Sequence, residues 1–138
     1  MRRWWEKITE ERASFTSLLS EVHGVPMLQV SGNIILNATE SQFRAALKKA
    51  VEEVEQTKGT RRVLVMDFSE LSYLDSIGLR TLMQETAELR KRGGEVRLVI
   101  PPRGRVGRIL GVTGVGDMFS IYSDVRSASR EGEGEPTS

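Results

Sequence analysis

The sequence contains no cysteine and a single histidine, His23. The absence of cysteine excludes a disulfide framework and any thiolate chemistry. Cysteine and histidine are also the usual ligands of zinc in proteins, so one histidine alone argues against a zinc centre. We therefore expect no metal site, and as a separate expectation no bound cofactor.

Long apolar runs and an excess of charge of either sign are also missing. No stretch approaches the roughly 20 apolar residues that a membrane-spanning helix needs. The N-terminus has two arginines but lacks the apolar segment of a secretory signal. Lys and Arg number 20 and Asp and Glu 19, so a net charge of +1 gives no general attraction to nucleic acid. The composition predicts a cytoplasmic protein that neither inserts into membranes nor binds nucleic acid.

Aromatic residues are few, and both tryptophans stand side by side, at Trp4 and Trp5. Adjacent tryptophans are costly to leave in water, so we expect them to be buried against the domain, a second copy of the chain or a partner. Residues 1–14 are interpreted as an N-terminal extension that could form a short helix, and residues 15–128 as one domain. Residues 129–138 have the composition of a disordered tail.

The clearest pattern lies in residues 62–92. Residues 63–66 form a continuous apolar run, which predicts a strand covered on both faces. After a short loop, Asp75 is placed to cap a helix whose first residue is Ser76. Residues of that helix recur at spacings of three and four and predict one mostly apolar face: Ile77, Leu79, Leu82, Met83, Thr86, Ala87 and Arg90.

Weaker patterns predict further elements around this unit. Strands are expected at residues 15–22, 25–31, 95–100 and 119–122. Helices are expected at residues 39–58 and 103–110, and another from residue 124. The first of these helices would begin with a capping box, formed by Thr39 with Gln42 or by Asn37 with Glu40. It would bury Phe43, Leu47, Ala50, Val51 and Val54.

Two segments, VLVMDFS at residues 63–69 and YLDSIGL at residues 73–79, resemble a STAS domain (sulfate transporter and anti-sigma factor antagonist). The family pattern runs from a hydrophobic strand ending in Asp-x-Ser to Asp-Ser-x-Gly-Leu at a helix start. Within the family, the chain is most similar to free-standing anti-sigma factor antagonists over residues 15–127. The resemblance implies an α/β fold, a single compact domain in which helices pack against a small mixed β-sheet.

The resemblance also implies a function. An unphosphorylated antagonist binds an anti-sigma factor that is also a serine kinase, and a sigma factor is released. The kinase ends the binding by phosphorylating a serine, here Ser76, and a metal-dependent serine phosphatase removes the phosphate. We expect the partner to contact the start of the helix at Asp75, Ser76, Ile77, Gly78, Arg80 and Gln84. Gly78 has no side chain and would let the backbone of the partner approach closely.

An enzymatic role for Ser76 is not supported. A nucleophilic serine needs a general base, and His23 falls in a predicted turn. The Gly-x-Ser-x-Gly elbow of serine hydrolases is absent, so we expect the chain not to be an enzyme. The glycines of residues 104–116 lack the spacing of a phosphate-binding loop and are interpreted as turn residues. Arg103, Arg105 and Arg108 are interpreted as a solvated helix face.

Asn37 departs from the family pattern, because antagonists commonly carry the aspartate of Gly-x-Leu-Asp at this place, near the phosphorylated serine. Losing that acid could change compatibility with the kinase or mean that the protein works by another route. Two alternative functions are open. The chain could be a STAS scaffold protein of a stress-sensing assembly or a lipid-transport complex that acts without phosphorylation. It could also be a module that binds a small ligand or a nucleotide. Each of these functions is compatible with a homodimer.

Overall fold

The computed structural model describes residues 14–35, 38–57, 61–102, 104, 106–108, 110 and 118–130. A five-stranded sheet forms its centre, and the strands are neighbours in the order of the chain. They are β1 (Phe15–Val22), β2 (Val25–Ile34), β3 (Val63–Leu74), β4 (Glu95–Val99) and β5 (Ser120–Tyr122). β1 runs antiparallel to β2, and all later neighbours are parallel. The predicted α/β fold with a small mixed sheet is confirmed.

Helices make the crossovers that parallel neighbours require. The described helices with complete bounds are α1 (Glu40–Gln56), α2 (Ser76–Lys91) and α3 (Val125–Arg130). α1 joins β2 to β3 and α2 joins β3 to β4, and both helices share one large apolar core with one face of the sheet. α3 packs against a smaller apolar cluster that involves the opposite face. The connection from β4 to β5 contains a helical turn at residues 106–108.

The hairpin of β1 and β2 explains how the sheet begins. His23 and Gly24 form the turn, with φ angles of 47° and 81°. Two consecutive positive φ values are typical of the tight turns that match the twist of a two-stranded ribbon. The predicted turn and the predicted strand at residues 15–22 are therefore confirmed. β2 continues to Ile34, three residues beyond the prediction.

The main core lies between the sheet and the helices α1 and α2. The predicted stripe of α1 is confirmed, with Val51 only partly buried and the other members fully covered: Phe43, Leu47, Ala50 and Val54. Phe43 also meets the Phe15 ring edge to face, with 6.2 Å between the ring centroids. On α2, Leu89 joins the core although the sequence pattern did not include it.

β3 differs most from the prediction. The strand was expected at residues 63–66 with a loop after it, but it continues without interruption to Leu74. Its pairing with β2 shifts register twice, between Gln29 and Ser31 and between Gly32 and Asn33. Each irregularity changes which side chains face the core, so Phe68, Leu71 and Leu74 are buried at a spacing of three instead of two. A strict alternation of apolar and polar residues is therefore absent.

The start of α1 also corrects an expectation. Thr39 occupies the cap position, but its side chain makes no capping hydrogen bond. The hydroxyl group instead donates to the carbonyl oxygen of Asn33 and accepts from the amide of Ile35, at 2.5 and 3.0 Å. The predicted capping box of Thr39 with Gln42 is therefore wrong, because the Thr39 hydroxyl group bonds to the backbone at the end of β2 instead. The alternative box rests on Asn37, which lies outside the described residues.

The C-terminal boundary of the domain lies later than expected. Residues 129 and 130 were assigned to the tail, but both belong to α3, and Ser129 is completely buried. Arg61 and Arg97 donate to the carbonyl oxygens of Ser129 and Ala128, at 2.6 and 2.9 Å. These cations satisfy carbonyl groups at the helix end, where they have no partner within the helix. The rest of the predicted tail and the N-terminal extension up to residue 13 lie outside the described residues.

The segment after β4 agrees with the prediction where it is described. Val106 and Leu110 are buried and Arg108 is exposed, as expected for a short helix with an apolar inner side. Arg103, Arg105 and most of the glycine-rich run lie outside the described residues.

Candidate functional site

The candidate site lies where the parallel strands β2 and β3 end, an edge that often carries binding sites in α/β proteins. The amide of Asp75 donates to the carbonyl oxygen of Ile34, at 3.1 Å, and joins the two strand ends. The Asp75 carboxylate then accepts from the amide of Gly78 at 2.8 Å, which makes Asp75 the N-cap of α2. The predicted cap is confirmed, and Ser76 is the first residue of the helix.

Ser76 itself is exposed. Among the described residues, its hydroxyl group forms no hydrogen bond, so it is available to another molecule. The one histidine does not serve it as a base, because His23 precedes β2 at the opposite end of the sheet. There the Nδ1 atom of His23 is bonded to the hydroxyl group of Ser129, at 2.7 Å.

The other predicted contact residues divide into two groups. Arg80 and Gln84 are exposed and follow Ser76 at intervals of four residues, so the three side chains lie on one side of α2. Ile77 is only partly covered and adjoins this side, and Asp75 is partly covered at the cap. We call the exposed surface formed by Ser76, Arg80 and Gln84 the α2 ridge.

Gly78 has a different role from the one that the sequence suggested. It is buried, and a Cβ atom built on it would lie 2.5 Å from Leu74 Cδ1 and 2.7 Å from Ile34 Cγ2. Such distances are too short for real contacts, so only glycine fits without rearrangement. The missing side chain lets the first turn of α2 pack on the ends of β2 and β3. The missing side chain therefore serves the packing of the domain itself.

A polar network beside the α2 ridge was missed by the sequence analysis. Thr81 donates its hydroxyl group to Glu40 Oε1 at 2.6 Å. Arg44 bridges the carboxylates of Glu40 and Glu85, at 2.8 and 2.7 Å. The hydrogen bond from Thr81 lowers the pKa of Glu40, and Arg44 adds to that effect against the opposing influence of burial and of Asp75. The four-residue spacing of Glu40 and Arg44 is visible in the sequence and indicates an ion pair within one helix. Their partners on α2, Thr81 for Glu40 and Glu85 for Arg44, are 41 residues away in the sequence and give no local signal.

The lowered pKa of Glu40 predicts how its contribution to stability depends on pH. Because the pKa in the folded state is below its usual 4.5, the stabilisation is present above that pH and is lost as pH falls through the lowered value. We expect Glu40→Gln to reduce the free energy of unfolding by about 1 kcal/mol at neutral pH and by much less in acid. Urea unfolding at pH 7 and about pH 3 measures both values. Glu52→Gln, at an exposed position of α1, should have little effect at either pH. If Glu40→Gln reduced the free energy of unfolding equally at both pH values, a stabilising role for the ionised Glu40 carboxylate would be contradicted.

Tyr73 is a second residue that the sequence analysis did not select. It lies two residues before the cap, pairs with Asn33 in the sheet register, and is 36% exposed. Exposed aromatic rings are enriched where proteins bind one another. The signal was an aromatic residue directly before the Asp-Ser motif, but the side to which it points depends on the irregular register of β3.

The described part of the chain holds neither a metal-binding cluster nor a membrane-spanning helix. No group of three or more histidine, cysteine, aspartate or glutamate residues there is arranged to hold a metal ion. None of the helices described is both long and apolar enough to cross a membrane.

Comparisons with known proteins agree with this geometry. The family model for the STAS domain matches residues 18–128. An anti-sigma factor antagonist from Mycobacterium paratuberculosis is 27% identical, with a TM-score of 0.67 over 84% of this chain and 92% of its own. The Bacillus cell fate determinant SpoIIAA in its phosphorylated form is 18% identical, with a TM-score of 0.54 over 83% of this chain and 98% of its own. Because the identity is so low, the similarity to SpoIIAA shows a shared fold alone.

A transport protein carries a similar domain. The murine anion transporter Slc26a9 is 14% identical, with a TM-score of 0.61 over 90% of this chain but only 23% of its own length, which again shows the fold alone. Among curated proteins, none matches this sequence. Because the family model spans most of the sequence and the solved structures share its fold, the chain belongs to the STAS domain family.

Proposed function

We propose that this protein is an anti-sigma factor antagonist whose binding is switched off by phosphorylation of Ser76. In its unphosphorylated form it binds an anti-sigma factor that is also a serine kinase, and a sigma factor is released. The observation that carries the proposal is the state of Ser76: an exposed hydroxyl group, with no hydrogen bond to any described residue, at the first position of a capped helix. The similarity to the mycobacterial antagonist supports the same function.

The position of Ser76 suits phosphoryl transfer by another protein. The Ser76 Oγ atom would attack the γ-phosphorus of ATP held by the kinase, the bond to the β-phosphate oxygen would break, and ADP would leave. The hydroxyl proton would pass to a base of the kinase. Because the nucleotide and the base belong to the kinase, the antagonist needs no cofactor and is not itself an enzyme. A metal-dependent serine phosphatase would hydrolyse the phosphoserine and restore the hydroxyl group.

The phosphate would act at the partner's contact surface. It adds a charge of about −1.5 to −2 at neutral pH, and in a tight interface this charge must lose water and face any acidic group of the partner. The fold tolerates it, because the amide groups at the start of α2 and the helix dipole favour an anion. Phosphorylation would therefore weaken the complex without unfolding the antagonist. Such a switch operates in the cytoplasm, where sigma factors and ATP are present.

The proposal is tested by reconstituting the switch from the native host. Immobilised wild-type protein should retain an ATP-binding anti-sigma factor that peptide mass spectrometry can identify. Adding Mg²⁺ and ATP should release this protein and increase the mass of the antagonist by one phosphate, located on Ser76. Ser76→Ala should retain the same partner but keep its mass.

Two outcomes would oppose the proposal. Retention of partners that neither bind ATP nor modify the chain would favour a STAS scaffold that acts without phosphorylation. Phosphate on another residue, with Ser76 unmodified, would assign the switch to a different site.

A further inference from the structure

We infer that Arg80 holds the phosphate of phosphorylated Ser76 within the same helix, so that phosphorylation also withdraws Arg80 from the partner. This inference deepens the proposed function, because it concerns the state that phosphorylation of Ser76 would create. It rests on the spacing of the two residues, their exposure and the charges around them.

The spacing places the two groups together. Ser76 and Arg80 are both exposed and lie one turn apart on α2. Side chains four residues apart in a helix are neighbours, and the pair is more favourable when the anion is N-terminal to the cation, as here. An arginine can give a phosphate two parallel hydrogen bonds, and such bonds are stronger than those between neutral groups.

The surrounding charges leave Arg80 available. Among the described residues Arg80 forms no ion pair or hydrogen bond. The nearby cation Arg44 is already shared by two carboxylates, those of Glu40 and Glu85. At the C-terminal end of α2, Arg90 donates to backbone and side-chain oxygens of its own helix and lies over the Phe119 ring. Arg80 is therefore the cation of α2 that is close to Ser76 and has no other role within the described fold.

The acids beside Ser76 increase the importance of this cation. Asp75 caps the helix directly before Ser76, and its negative charge also acts on Glu40. A phosphate on Ser76 would be repelled by the adjacent Asp75 carboxylate, and Arg80 offsets that repulsion. In the unphosphorylated protein, the same guanidinium group is free to meet an acidic group of the partner. Phosphorylation would thus add a negative charge to the α2 ridge and occupy its positive charge.

The test uses the full chain with phosphoserine placed at position 76 during translation, so that it needs neither the kinase nor the partner. Phosphorus NMR gives the second pKa of the phosphate, which is about 6 for free phosphoserine. We expect Arg80→Gln to raise this pKa by about 0.5 unit and Arg80→Lys to raise it by less, since lysine keeps the charge but not the paired hydrogen bonds. Adding about 1 M salt should reduce the difference, because the pair is exposed.

Arg126→Gln is the matched control, because Arg126 is exposed on α3, on the other side of the sheet. In the Arg126→Gln variant, the phosphate on Ser76 should have the same second pKa as in the phosphorylated wild-type protein. The inference is wrong if Arg80→Gln leaves the phosphate pKa unchanged, or if Arg126→Gln shifts it equally, which would indicate a general effect of net charge. The result is independent of the proposed function: a host that never phosphorylates Ser76 would refute the switch, and the installed phosphate would still show whether Arg80 binds it.

Discussion

Replacing Ser76 with aspartate is expected to weaken binding of the proposed anti-sigma factor partner more than tenfold. The substitution places a permanent negative charge at the first residue of α2, on the exposed ridge with Arg80 and Gln84. A charge at the centre of a tight interface loses its water, and pairing with Arg80 would withdraw that cation from the partner; such central disruptions cost about 2 kcal/mol or more. That free energy corresponds to a factor of more than about ten in the dissociation constant. Isothermal titration calorimetry with the purified partner measures the change directly.

The controls for this prediction separate charge from position. Ser76→Ala removes the hydroxyl group without adding charge and should bind nearly as tightly as the wild type. Ser123→Asp adds the same charge at an exposed residue after β5, away from the start of α2, and should also bind normally. If Ser76→Asp bound the partner as tightly as the wild type, electrostatic switching at this residue would be refuted.

Replacing Phe43 with alanine is expected to destabilise the domain by about 3–5 kcal/mol, as for other buried phenylalanines. Phe43 is completely buried on α1, where it meets Phe15 of the edge strand and belongs to the core that both α1 and α2 share with the sheet. Its loss would leave a cavity at the place where three elements meet. Because native domains are stable by only about 5–15 kcal/mol, the variant should be near the limit of folding.

Urea unfolding followed by circular dichroism tests this expectation. Phe43→Leu keeps most of the buried volume and should lose much less stability. Leu18→Ala is the matched surface control, because Leu18 is 59% exposed on β1 and contributes little burial. A loss below about 1 kcal/mol for Phe43→Ala would contradict the packing described here, since surface positions typically show changes of that size.

The sequence was most informative where local spacing alone determines structure. The apolar stripe of α1 and the Asp75 cap of α2 follow from contacts within a few residues, and both are confirmed. The same local logic failed in β3, because irregular pairing with β2 changes its alternation. A strand's register depends on its neighbour, and no pattern within β3 itself reports it.

The site was predicted only in part, because some of its features follow from local spacing and others from contacts between distant elements. The exposure of Ser76, Arg80 and Gln84 follows from the helix period. The packing role of Gly78 and the bond from Thr81 to Glu40 depend on which elements meet in space. Partners 41 residues apart leave no local signal in the sequence, so only the structure reveals these contacts.

The most direct test of the central claim is to determine whether Ser76 carries phosphate in the native host. The intact mass of the purified protein, followed by peptide mapping, measures the modified fraction at this residue. We predict a fraction phosphorylated on Ser76 that a serine phosphatase removes and that changes with growth conditions. An unmodified Ser76 under every growth condition would contradict the switch and favour a STAS scaffold that binds its partners without phosphorylation.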